Sequence, residues 1–219
     1  MDELIAALRG ALALLFPVSC AGCNEGGSPL CARCAAALSP DVRRVELDTG
    51  IAVYSALEYD GVAARVIRAL KQSGRVGLAR RLAPAMRSAL AAAAAGEREL
   101  LAVPVPQSRR SARRRGYSVV ELLLRRAGAS PSRALAWRRQ IADQRGLDRE
   151  GRRRNLRDAL EARRIRAGVR VVIVDDVVTT GATVRAAQRA LEAGGAVVVA
   201  AVTLAATPKR LGERGVTRP

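Results

Sequence analysis

Apolar positions change period along the chain, and the changes divide it into elements. Leu4, Leu8, Leu12 and Leu15 fall on one helical face, so residues 4–18 are expected to form an amphipathic helix. Ile51–Tyr59 reads as a strand, Asp60–Gln72 as a short helix, and Arg75–Ala95 as an Ala-rich helix ending at Gly96. Leu100–Val105, bounded by Pro104 and Pro106, has the run length of a buried parallel strand. A helix is expected around Val119–Arg126 and a further strand over Pro131–Trp137. Gln140–Arg154 has no period and contains Gly146 and Gly151, so it reads as a mobile loop. The pattern then sharpens. The β-branched run Val169–Val174 leads through a short loop to a helix over Thr183–Ala193, which Gly194-Gly195 closes, and Ala196–Leu204 is the next strand. Strand, helix and strand in that order make a βαβ unit, so the chain is α/β, with a parallel sheet flanked by helices.

Composition narrows the chemistry. There is no histidine in the 219 residues, which removes Ser–His and Cys–His triads and every His-ligated metal site. Aromatics are 2% of the chain, too few for a base-stacking platform, so the core must be built from Ala, Val, Leu and Ile. Lys+Arg 38 against Asp+Glu 20 gives a net charge of +18, and all but Lys71 and Lys209 of the basic residues are Arg. Sixteen Arg and four acids between Ser108 and Arg157 place +12 of that charge in one stretch, a field that attracts phosphates on a small molecule or a nucleic acid. The Leu4–Val18 run is fifteen residues long and carries Arg9, too short to span a bilayer. Asp2 and Glu3 stand where a secretory signal needs positive charge, so a cytoplasmic protein with no membrane partner is expected.

Cys20-Ala-Gly-Cys23 and Cys31-Ala-Arg-Cys34 are two C-x-x-C knuckles seven residues apart. Each knuckle supplies two sulfurs from one tight turn, and together they suit one tetrahedral, structural Zn²⁺. Two disulfides are the competing arrangement, disfavoured in the cytosol. A Cys₄ site is closed to substrate, so the module stabilises or docks and does not catalyse.

The chemistry is expected at the carboxyl end of the Val169–Val174 strand, where open α/β sheets bind ligands. Asp175 and Asp176 are adjacent carboxylates suited to two vicinal hydroxyls or a hydrated metal. Thr179-Thr180-Gly181-Ala182-Thr183 then leads into a helix N-terminus, whose free N–H groups, hydroxyls and dipole suit a phosphate. Diol, metal and phosphate at this spacing describe a ribose 5-phosphate. No G-x-x-x-x-G-K-[ST] and no G-x-G occurs, which excludes P-loop and dinucleotide sites. No Asp follows Asp176, which excludes a phospho-acceptor receiver.

Val171–Thr183 resembles the phosphoribosyl pyrophosphate (PRPP) signature of type I phosphoribosyltransferases, and the whole chain resembles the ComF/GntX family, related to the transferase half of amidophosphoribosyltransferases. The resemblance rests also on the Cys₄ knuckles, Tyr59-Asp60-Gly61 leading to Ala69-Leu70-Lys71, Val103-Pro104-Val105-Pro106 before Arg115-Gly116-Tyr117, and Gln144…Leu147 with Arg152-x-x-Asn155. It implies a type I phosphoribosyltransferase fold over 46–219 behind an N-terminal helix and zinc module over 1–45. It implies that Asp175 and Asp176 hold the ribose hydroxyls, Thr179, Thr180, Gly181, Ala182 and Thr183 the 5′-phosphate, and Lys71, Gln72, Ser73 and Gly74 the pyrophosphate. Lys71, Asp175 and Asp176 would be catalytic, with Mg²⁺ bound alongside PRPP. Ser108–Tyr117 would be a lid bearing Arg109, Arg110, Arg113, Arg114 and Arg115. The family usually follows Arg-Gly-aromatic with Asn-Gln, where this chain has Ser118-Val119. Two functions follow: transfer of ribose 5-phosphate from PRPP to a nitrogen nucleophile, or a non-catalytic competence-type role in DNA uptake through single-stranded DNA and protein partners.

Overall fold

A computed structural model describes residues 18–97, 99–138 and 159–208, except the side chains of Arg109 and Arg110. The expected N-terminal helix (apart from Val18) and the Gln140–Arg154 loop, with Gln144, Leu147, Arg152 and Asn155, lie outside the described residues.

Seven strands are described: β1 (Arg43–Glu46), β2 (Ala52–Glu58), β3 (Leu101–Pro104), β4 (Leu135–Trp137), β5 (Leu160–Ala162), β6 (Arg170–Val178) and β7 (Val197–Ala206). The helices are α1 (Ala32–Ala36), α2 (Gly61–Gln72), α3 (Leu78–Ala93), α4 (Arg109–Arg115), α5 (Val119–Ala127) and α6 (Ala182–Ala193). Five strands form the main sheet in the order β1-β2-β7-β6-β3. All neighbours in it are parallel except β1, which pairs antiparallel with β2. The expected βαβ unit is β6-α6-β7, with Val174 opposite Val202 and Asp175 opposite Thr203.

Successive strand residues face opposite sides of the sheet, and the core divides accordingly. Val172 and Val174 of β6 join the cluster beneath α2, α3 and α5, while Val171 and Ile173 join the cluster beneath α6. The small antiparallel β4–β5 sheet packs against α6. Cys20, Leu30, Cys34 and Leu38 belong to the same cluster as Val66, Ile67 and Leu70 of α2, so the knuckles pack directly on that helix.

Elements that differ from expectation include β1, β5, α4 and β6, and β4 is confined to Leu135–Trp137 of the expected Pro131–Trp137. β1 has only Val45 as an apolar residue, because it is an edge strand whose other side chains are free to be charged. It closes a hairpin through Gly50, at φ 77°. The Arg-rich stretch contains the short helix α4, capped by Ser108, whose hydroxyl accepts from the Ser111 N–H, and closed by Gly116 at φ 72°. β6 runs four residues beyond Val174. β3 stops opposite Val174, while β7 continues to pair as far as Val178. Asp175 and Asp176 are therefore in-strand residues that emerge where one neighbour ends.

Candidate active site and metal centre

The end of α2 and the end of β6 meet. Lys71, in the last turn of α2, donates from Nζ to Oδ1 of Asp176 at 2.6 Å, across 105 positions of sequence. The two side chains are 20% and 18% exposed, so the pair sits largely out of water. The Asp176 backbone N–H donates to Oδ1 of Asp175 at 2.8 Å. Burial, and next the neighbouring Asp176 carboxylate, push the Asp175 carboxyl up to about 7; the Asp176 N–H and the Lys71 ammonium only partly offset them. Two adjacent carboxylates with one cation thus leave the site short of positive charge.

Gln72, Ser73 and Gly74 follow Lys71 as an exposed turn, with Gly74 at φ 64°. The Tyr117 hydroxyl donates to the Leu70 carbonyl, which fastens the residue after the arginine helix to the end of α2. Arg113 and Arg114 are exposed. Nε of Arg115 is buried without a partner, and among the described residues Lys71 bonds Asp176 rather than an arginine of this segment pairing with either aspartate. Ser118, where the resemblance leads one to expect Asn, caps α5 by accepting from the Glu121 N–H at 3.3 Å, and Val119 is buried.

Beyond β6, Thr179 and Thr180 are exposed and Gly181 is the N-cap of α6 at φ 72°. A Cβ on Gly181 would be strained by the left-handed backbone and would lie 2.9 Å from both methyls of Leu47, which would have to shift. No side chain caps the helix from the N-cap position, and Ala182 N–H donates only at 3.4 Å to the Thr180 hydroxyl. The first turn of a twelve-residue helix thus keeps donors for an anion. Arg185 steadies the loop by donating to the Thr180 carbonyl at 2.7 Å and to Asp48 at 3.0 Å. Leu47, Asp48 and Arg185 support the site without any sequence motif to mark them, whereas Tyr117 belongs to the Arg115-Gly116-Tyr117 motif. The one available signal was Arg185 lying four residues, about one helical turn, after Gly181.

The four cysteine Sγ atoms lie within 4.8 Å of one another. All four thiols are free, and Cys23 and Cys31 sulfurs are 3.7 Å apart, so the disulfide alternative is not adopted. A tetrahedron of ~2.3 Å metal–sulfur bonds has edges close to that separation. Backbone N–H groups of Gly22 and Cys31 point at Cys20 Sγ, and that of Cys34 at Cys31 Sγ. Burial opposes ionisation of Cys20, yet the backbone donors outweigh it and bring the thiol down to about 6. Burial and the crowding sulfurs push Cys34 up to about 12. The donor set fits a soft dication, which would relieve that crowding. A Cβ on Gly22 would lie 2.6 Å from Cys34 Sγ and 3.0 Å from Val62 of α2, so the knuckle backbone is pressed against that helix. Arg75 donates to the carbonyls of Ser19 and Pro29 and Arg65 to that of Gly22, tying both ends of the cluster to the segment that carries Lys71.

Residues 118–215 match the phosphoribosyl transferase domain model. The matched stretch contains the Asp175–Thr183 turn and leaves Lys71 and the cysteines outside it. No curated protein matches the chain. Among solved structures, an adenine phosphoribosyltransferase is similar at TM-score 0.43 and 18% identity, over 80% of this chain and 90% of that one. The adenine phosphoribosyltransferase of Saccharomyces cerevisiae gives 0.42 and 19%, over 80% and 89%. The orotate phosphoribosyltransferase of Mycobacterium tuberculosis gives 0.38 and 20%, over 83% and 87%. Among the described residues no helix is long and apolar enough to cross a membrane.

Proposed function

We propose that the protein binds Mg²⁺–PRPP at the carboxyl end of β6 and transfers its ribose 5-phosphate to a nitrogen nucleophile, releasing pyrophosphate. The observation that supports this reading is the Lys71–Asp176 contact, which brings an ammonium suited to a phosphate against a carboxylate suited to a sugar hydroxyl from 105 residues away. Asp175 and Asp176 would accept hydrogen bonds from the 2′- and 3′-hydroxyls. Gly181, Ala182 and Thr183 would present backbone donors to the 5′-phosphate, with Thr179 and Thr180 at the mouth. Lys71, backed by the Gln72–Gly74 turn, would exchange Asp176 for a pyrophosphate oxygen as ligand enters. The C1–oxygen bond then breaks with its electron pair leaving on pyrophosphate, a C1–nitrogen bond forms, and the nitrogen's surplus proton passes to solvent. Positioning and charge stabilisation carry such a step. Mg²⁺, when bound, neutralises the pyrophosphate, and its preference for oxygen donors suits the two carboxylates. Arg109, Arg110, Arg113, Arg114 and Arg115 stand in the segment that would close over the leaving group. Zinc at Cys20, Cys23, Cys31 and Cys34 would be structural, and the ComF/GntX assignment is supported by the knuckles preceding the α/β unit in one chain.

Calorimetric titration of Mg²⁺–PRPP into the protein tests the reading. Loss of two charge-assisted hydrogen bonds, about 1.5–3 kcal/mol each, makes Asp175→Asn with Asp176→Asn weaken binding at least ~100-fold. Unchanged affinity in that variant removes the ribose assignment.

A further inference from the structure

α2 ends without the closure that its C-terminal glycine favours. Ser73 is the C-cap, and its N–H makes the last bond of the helix, to the Ala69 carbonyl at 3.1 Å. Gly74 follows at φ 64°, in the left-handed region. A glycine there ordinarily folds the chain back, so that its own N–H, or that of the next residue, bonds a carbonyl four or five positions earlier. In this chain both routes lead to the Leu70 carbonyl. Neither is taken: among the described residues the Gly74 and Arg75 N–H groups have no backbone partner. The chain turns forward instead, with the Val76 N–H donating to the Gly74 carbonyl at 2.7 Å and the Leu78 N–H to the Arg75 carbonyl at 3.0 Å.

The Leu70 carbonyl is satisfied from elsewhere. Leu70 is fully buried, and its oxygen accepts from the Tyr117 hydroxyl, 47 positions away. Tyr117 stands between Gly116, which closes α4, and Ser118, which caps α5. On the other side of the turn, the Arg75 guanidinium donates to the Ser19 and Pro29 carbonyls. A buried acceptor left without a donor is unfavourable, and the hydroxyl meets that need without closing the turn. Gly74 is exposed and Arg75 partly so. Two backbone donors are thus left over on the turn that Lys71 begins.

We propose that the Tyr117 hydroxyl is a positioning group for pyrophosphate: it satisfies Leu70 in place of the Gly74 and Arg75 N–H groups, which are kept for phosphate oxygens beside Lys71. That the ligand is pyrophosphate rests on the PRPP reading; the open turn does not. An anion at a helix C-terminus meets the negative end of the dipole, and here two N–H donors and the Lys71 ammonium outweigh it. Arg75 joins the ligand-holding turn through its backbone, one residue past the Lys71–Gly74 stretch that the sequence marks.

Tyr117→Phe removes one oxygen and keeps the ring. The Leu70 carbonyl should then recruit the Gly74 or Arg75 N–H and close the turn. Amide hydrogen exchange of the full chain, followed by NMR, should slow at least ~tenfold at one of these residues in the variant. Calorimetry should show Mg²⁺–pyrophosphate weakened about tenfold, as for loss of a charge-assisted hydrogen bond, with ribose 5-phosphate unchanged. Equal pyrophosphate affinity in the two proteins overturns the proposal, and so does an equal loss for both ligands, the mark of general damage. The wild-type protein supplies a readout that does not depend on the variant folding. Saturating Mg²⁺–pyrophosphate should slow exchange at Gly74 and Arg75, and unaltered exchange overturns the proposal. Mg²⁺–PRPP is titrated alongside. PRPP binding with pyrophosphate affinity unchanged in Tyr117→Phe removes the role of Tyr117 alone, whereas a wild-type protein that binds neither ligand removes the PRPP reading with it.

Discussion

Replacing Asp175 with Asn should make the protein more stable above neutral pH while disabling its ligand site. The Asp175 carboxyl is pushed up to about 7 by burial and by Asp176, against about 3.9 for an aspartate in an unfolded chain. Between pH 4 and 7 the folded state therefore holds a proton that the unfolded state has released. Stability from this group is fully present below pH 4 and falls as pH rises toward 7. Three pH units at 1.36 kcal/mol each put the loss on the order of 4 kcal/mol at pH 8. Asparagine has nearly the same shape, still accepts the Asp176 N–H, and never ionises. Urea unfolding of both proteins at pH 3, 6 and 8 should show equal midpoints at the acid end and a growing advantage for Asp175→Asn toward pH 8. The slope of free energy on urea concentration should stay unchanged. An advantage below ~1 kcal/mol at pH 8, or one independent of pH, refutes the claim that the folded site holds the carboxyl against its charge.

Lys71→Met leaves two adjacent carboxylates without their ammonium. Removing one partner of a buried pair costs about 3–5 kcal/mol, and partial exposure here reduces that to ~2 kcal/mol, read as a lower urea midpoint. The same variant should weaken pyrophosphate at least tenfold; unchanged pyrophosphate affinity separates Lys71 from ligand binding. Gly181→Ala meets a left-handed backbone and the Leu47 methyls together, so ~2 kcal/mol of stability should be lost. Leu47→Ala in the same chain should restore the steric part, and full tolerance of Gly181→Ala disproves the close packing. Metal analysis should find one zinc per chain, and Cys34→Ser should lower both zinc content and thermal midpoint; a folded, metal-free wild-type protein contradicts the Cys₄ assignment.

Regular elements were legible wherever a single periodicity dominated. The β6-α6-β7 unit, α2, α3 and α5 lie where the apolar pattern put them, because each buries one face against a sheet that is itself buried on both. β1 and β5 were not legible. Arg43–Glu46 and Leu160–Ala162 carry one or two apolar residues each, and they are strands only because β2 and β4 offer them edges. The seven-residue α4 was read as part of a lid, since a run of arginines gives no apolar face; its ends are set by Ser108 and Gly116.

The sequence alone determined the groups that local chemistry requires: the Asp175–Thr183 turn after a β-branched strand, and two C-x-x-C turns able to share one cation. Both are short-range patterns, within fifteen residues, where spacing and residue type nearly suffice. Tertiary structure decided what those groups meet. It set Lys71 on Asp176, pressed Gly181 against Leu47, anchored the knuckles to α2 through Arg65 and Arg75, and left Oε1 of Gln107 buried with no donor. Such contacts follow from strand order, and strand order is fixed by burying both faces of the sheet at once, a constraint on the whole chain that no local window contains.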